Sequence, residues 1–192
     1  MTVGNHFPDW VEPMAATLTQ ERFAGPDWKF ECNLDGIRLL AFRAWPRRAD
    51  PLAQRAAVEP RLSRSGGAIA HLPVCDVILD GEAIGVWFKQ GRIAYHIFDI
   101  LWVDGRDVTG LPIEERQALL AKLPLSRRWC VPSLHDAKPW DRACAEGWEG
   151  VIAKRRGSVY EHKRWKHWLK MKGEATQELV VWEQQGTCVE TA

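Results

Sequence analysis

The stretch FECNLDGIRLLAF, residues 30–42, decides how the rest of the chain is read. Apolar and polar residues alternate on both sides of Asp35-Gly36, the pattern of two strands joined by a tight turn. Residues 28–45 are therefore expected to form a β-hairpin. Two later runs have the same β-rich character, VCDVILDGEAIGVWF (74–88) and RIAYHIFDILWVDG (92–105), with Asp80-Gly81 and Asp104-Gly105 as turn signals. LPIEERQALLAKL (111–123) has helical spacing, with Pro112 suited to the first turn and Glu114 and Glu115 to the positive end of the helix. AKPWDRACAEG (137–147) reads as a second helix closed by Gly147. EGVIAKR (149–155), HWLKMK (167–172) and QELVVWEQ (177–184) are short strand-like runs. The order predicts an α+β chain with much antiparallel sheet.

Composition narrows the field. The 192 residues suffice for one sizeable domain, and eleven tryptophans supply bulky core material. No apolar run reaches the ~18 residues that a membrane span needs, and MTVGNHFPDWVEP at the start lacks a basic segment followed by an apolar one. The five cysteines are scattered and never in a C-x-x-C pair, which suits reduced thiols in the cytoplasm better than a disulfide scaffold or a zinc site. His162 and His167 lie near each other but among Lys163, Arg164 and Lys166, a poor setting for a cation. Net charge is +1, so the global balance does not announce a polyanionic partner. Locally, FRAWPRRADPLAQR (42–55) and KRRGSVYEHKRWKHWLKMK (154–172) are strongly basic. The second interleaves tryptophan with lysine and arginine, a pattern suited to phosphate contact with stacking, although a solvated basic face reads the same way.

Several short segments carry chemistry through their order. They are ECNLDGIR (31–38), RLSRSG (61–66), LDGEAI (79–84), YHIFDIL (95–101), EGVIAKR (149–155) and WLKMK (168–172). In this order they resemble the motifs of the adenylation domain of ATP-dependent DNA ligases, within the covalent nucleotidyltransferase superfamily; the resemblance covers roughly residues 10–173. It implies a nucleotidyltransferase fold, ATP-grasp-like, with antiparallel sheets flanked by helices and the nucleotide bound between them. It also implies ATP or AMP and Mg²⁺ as ligands. By the same resemblance, position 33 is the nucleophile slot, with Asp35 and Arg38 beside it. Glu31, Arg38, Arg64, Glu82, Phe98, Lys170 and Lys172 would bind the nucleotide, with Phe98 stacking on adenine and the two lysines on phosphates. Glu149 and Glu82 would hold the metal.

Residue chemistry agrees with these roles. Lys170 and Lys172 are two apart, so a strand points both to one face and Leu169 and Met171 to the other. Carboxylates such as Glu82 and Glu149 are hard oxygen ligands suited to Mg²⁺. Phosphoryl transfer needs positioning and charge neutralisation, which lysines and a divalent ion supply. Each segment alone has a plainer reading. Asp-Gly is a common turn, Phe98 in an apolar run suits a core, and LKMK suits an edge strand guarded by lysines. Their joint order is what carries the resemblance.

The departure is Asn33, which stands where the family has its nucleophilic lysine. Lysine offers a primary amine on a long stem. The asparagine amide nitrogen has its lone pair delocalised and has no practical nucleophilicity at phosphorus. Cys32 would face the other side of the strand, and Lys29 is four residues upstream. A deliberate change that traps ATP, a natural loss in a nucleotide-binding relative, and a repurposed site all remain open. Residues 1–173 are expected to form the adenylation domain, and 174–192 a tail that supplies at most the first strand of an oligonucleotide-binding barrel, with no amino-terminal DNA-binding domain before Trp28. The implied activity is nick sealing through enzyme-AMP and DNA-AMP, on nicked duplex DNA, by a monomer with no membrane contact. The alternatives are a non-catalytic nucleotide- or nucleic-acid-binding relative and a same-fold enzyme using ATP on a small molecule.

Overall fold

The computed structural model describes residues 6–44, 69–85, 93–126, 130–133 and 138–172. The RLSRSG segment with Arg64, most of the basic run 42–55, the run 177–184 and Cys188 lie outside them. In chain order the elements are β1 (Ala15–Thr19), β2 (Trp28–Cys32), β3 (Ile37–Ala44), β4 (Asp76–Ile84), β5 (Ala94–Val103), β6 (Arg106–Asp107), α1 (Ile113–Lys122), α2 (Pro139–Glu146), β7 (Gly150–Arg155) and β8 (Arg164–Lys172). They build two four-stranded sheets, β1-β8-β7-β2 and β3-β4-β5-β6.

The expected hairpin at 28–45 does not form. Both strands exist, but β2 pairs with β7 and β3 pairs with β4, so Asp35-Gly36 carries the chain from one sheet to the other. A two-residue hairpin turn of the favoured type needs left-handed backbone at both positions, and neither Asp35 nor Gly36 adopts it. Gly36 is required for another reason: a Cβ there would lie 2.4 Å from the Ala83 carbonyl oxygen. Its N–H donates to Glu82 Oε1 at 3.0 Å, which ties the crossover to β4.

Asp80-Gly81 is likewise no turn but the middle of β4, where the register against β5 slips. Asp104-Gly105 does turn, joining β5 to β6 with φ of 49° and 78°. The helices fall where the spacing places them, and Gly147 closes α2 in the left-handed conformation. Strand β1 had no signal in the sequence; it pairs in parallel with β8 on the edge of the first sheet.

Alternation then decides what each face of the first sheet touches. Phe30, Val151, Ala153 and Met171 pack with Ala143 of α2 in one apolar cluster. The intervening residues face the second sheet. Between the sheets lies a second cluster, with Ile78, Phe98, Leu101 and Trp102 meeting Met14, Tyr160 and Trp168. On its other side the second sheet buries Ala41, Val77, Leu79 and Ile97 with Leu120 of α1. Among the described residues Cys32, Cys75, Cys130 and Cys144 are free thiols, and no helix there is long and apolar enough to cross a membrane.

Candidate active site

A cavity of about 290 Å³ opens between the two sheets. The first sheet lines it with Glu31, Asn33, Ile152, Lys154, Trp168 and Lys170, the second with Arg38, Glu82 and Phe98. Every one of these from the first sheet sits on the face opposite the α2 cluster, as strand alternation requires. Lys170 and Lys172 share that face, while Met171 is buried against α2, as the spacing predicts.

At one end the groups are acid–amide–base. Asn33 Nδ2 donates to Glu149 Oε2 at 2.6 Å, and Lys172 Nζ lies 3.1 Å from Glu149 Oε1. The Glu149 carboxylate thus joins Asn33 to Lys172. Glu82, half-buried, accepts the Gly36 N–H, and burial lifts its carboxyl above the usual range against the pull of that bond, Arg38 and Lys170. No ion-pair partner lies within 4 Å of Lys170 among the described residues, so its charge is available to the cavity.

At the other end the groups are buried. Glu31 is 2 % exposed, and burial raises its carboxyl against the opposing charge of Lys154, whose Nζ is 2.6 Å from Oε2. Lys154 is itself 1 % exposed, its Nζ 4.5 Å from the Phe98 ring centroid and 4.2 Å from that of Trp168. The Lys154 ammonium is held against the Glu31 carboxylate, and the buried Trp168 Nε1 has no hydrogen-bond acceptor among the described residues.

Arg38 spans the gap. Its Nε and one terminal nitrogen each lie 2.5 Å from the Asp80 carboxylate, and the same terminal nitrogen donates to the Met14 carbonyl at 3.0 Å. The guanidinium rests 4.6 Å from the Phe98 centroid. Asp80 is fully buried and also accepts from the Tyr160 hydroxyl at 2.6 Å, so the arginine is held by a braced carboxylate.

The structure therefore gathers Glu31, Asn33, Arg38, Glu82, Phe98 and Lys170 on one cavity and joins Glu149 and Lys172 to it through Asn33. Asp35 is exposed on the crossover and does not line it. Sequence reasoning missed Lys154 and Trp168 as lining residues and Asp80 as the brace behind Arg38, though alternation along EGVIAKR and HWLKMK places the first two on the face of Lys170. Tyr160 carried no local signal, because it reaches the site only through Asp80.

Comparison with known proteins bears on the fold and the family likeness. The family model described as ATP dependent DNA ligase domain matches residues 83–172. The multifunctional non-homologous end joining protein LigD of Pseudomonas aeruginosa is 32 % identical over 91 % of this chain and 23 % of its own length. The DNA repair protein LigD of Mycobacterium tuberculosis is 36 % identical over 90 % of this chain and 25 % of its own. A mycobacterial DNA ligase D solved in complex with ATP and MES superposes with a TM-score of 0.65 and 28 % identity, covering 84 % of this chain and 60 % of that one. The fold is that of a DNA ligase adenylation domain. The chain resembles ATP-dependent DNA ligases, and it spans about a quarter of the length of the LigD proteins it matches.

Proposed function

We propose that this chain is the nucleotide-binding half of a DNA ligase, taking ATP into the cavity between its sheets. The observation that carries the reading is that residues from four separate motifs, Glu31 and Arg38, Glu82, Phe98 and Lys170, line one cavity. The buried end, with Phe98, Glu31 and Lys154, suits a flat base with polar edges. The open end, with Lys170 and Lys172, suits a phosphate chain. In the reaction the family performs, an amine attacks the α-phosphorus of ATP, pyrophosphate departs, and AMP passes to the 5′-phosphate of a nick before the 3′-hydroxyl expels it. Nicked duplex DNA in the cytoplasm is the proposed substrate of the whole protein.

Mg²⁺ fits the donor set in a limited way. No group of three or more His, Cys, Asp or Glu side chains comes together among the described residues. Glu82 and Glu149 supply two carboxylates, the second close enough for its charge to act on the first, and Mg²⁺ characteristically takes one or two carboxylates plus substrate phosphates and water. When bound it would neutralise phosphate charge; the chain's own residues hold and orient the nucleotide.

Asn33 alters the outcome. Its amide is committed to Glu149 and has no nucleophilic lone pair, so the chain as written is expected to bind ATP without forming a covalent adenylate. The test is incubation with α-labelled ATP and Mg²⁺, followed by counting label retained on denatured protein. Asn33→Lys should become labelled and the unaltered chain should not. Label on neither protein, with ATP bound by both, would sink the ligase reading of the site.

A further inference from the structure

Behind Glu31 stands a polar relay that the proposed reaction does not use. Lys29 is 8 % exposed, on β2 two residues before Glu31 and on the same face. Its Nζ donates to Gln117 Oε1. Gln117, on α1, donates through Nε2 to Glu31 Oε1 at 3.0 Å and to Ser133 Oγ at 3.2 Å. An ammonium only donates and an ionised carboxylate only accepts. Gln117 between them can stand one way round: the reverse would turn its carbonyl on the carboxylate and its NH₂ on the ammonium.

We propose that Lys29 and Gln117 are positioning residues that hold Glu31 as a fixed acceptor, so that the cavity selects a purine carrying an exocyclic amine over one carrying an oxo group. This rests on the reading above that a nucleotide base enters the buried end. Gln117 meets one carboxylate oxygen and Lys154 the other, which fixes the plane of the group. Ser133 Oγ also donates to Glu31 Oε1, at 3.5 Å; a carboxylate has about four acceptor positions, so Glu31, which lines the cavity, keeps acceptor capacity for a ligand there. A 6-amino group presents a donor there. A 6-oxo group presents a second acceptor, and a buried acceptor facing an acceptor is strongly disfavoured, which is how sites that hydrogen-bond a substrate group reject its analogue. Phe98 accepts either ring and does not discriminate.

The test compares ATP with inosine triphosphate, which differs at position 6, by calorimetric titration of the unaltered chain and three variants. The unaltered chain should prefer ATP. Gln117→Leu should lower the ATP-to-inosine-triphosphate preference at least tenfold, with inosine triphosphate affinity nearly kept. Lys29→Gln, which frees the amide to turn, should do the same by a separate route if the first variant folds poorly. Gln117→Glu sets two carboxylates side by side. Its ATP affinity should be lowest at pH 8 and recover towards pH 5.5, as the pair takes up one proton and regains a donor, by more than the unaltered chain changes. The charged groups around that pair are Lys29 and Lys154, with Asp99 behind Glu31 and Glu114 and Arg156 beside Lys29. Both nucleotides weakening equally, or an unchanged preference, would overturn the relay while leaving the ATP site standing. No ATP binding by the unaltered chain would remove both.

Discussion

Asp99 and Arg116 are the most completely buried ion pair among the described residues, both side chains at 0 % exposure, joined by bonds of 2.8 and 2.9 Å. Arg116 also donates to the Leu111 and Ser158 carbonyls, so one side chain ties α1 to β5 and to the turn after β7. Removing one partner of such a pair leaves a buried charge without compensation. Asp99→Ala should therefore cost about 3–5 kcal/mol, read from urea unfolding. Arg142 and Glu146 make a pair of equal length on α2, but with each side chain 44 % exposed. Glu146→Ala should stay within about 0.5 kcal/mol. Burial, not distance, separates the two outcomes.

At the level of elements, β7 depends on one small residue. A Cβ on Gly150 would lie 2.2 Å from the Met171 carbonyl oxygen, a backbone atom that cannot turn aside. Gly150→Ala should push β7 from β8 and shift Glu149 from Asn33 and Lys172. Overpacking of this kind costs about 1–3 kcal/mol, and a fall in ATP affinity measured beside it would report the displaced carboxylate. The same elements explain what the sequence revealed. The bounds of α1 and α2, and the face shared by Lys170 and Lys172, follow from local spacing. The partner of β2 does not: its residues pair with β7, Glu31 opposite Ile152, more than a hundred positions away. Turn chemistry at Asp35-Gly36 is a local signal, and crowding of Gly36 by Ala83 is a tertiary fact that overrode it. Gln117 looked like any polar residue on a helix until the fold set it against Glu31.

Over the whole molecule, the two sheets differ in where their strands come from. The second sheet uses one continuous span, β3 to β6, each strand pairing with the next in sequence. The first is assembled from both sides of that span, with β1 and β2 before it and β7 and β8 after it. The second sheet is in effect an insertion, and the cavity needs both. This ordering has a kinetic consequence. Closing the loop between β2 and β7 carries more chain entropy than forming the β3–β6 meander, and long-range pairings form slowly. Refolding should therefore proceed from the inside of the chain outwards, with amide protons of β4 and β5 protected in a pulse-labelling experiment before those of β7 and β8. If all four strands gained protection together, this order would be wrong. If it holds, a chain still emerging from its synthesis cannot capture nucleotide until β8 has been made, because Trp168 and Lys170 are among the last cavity residues to exist.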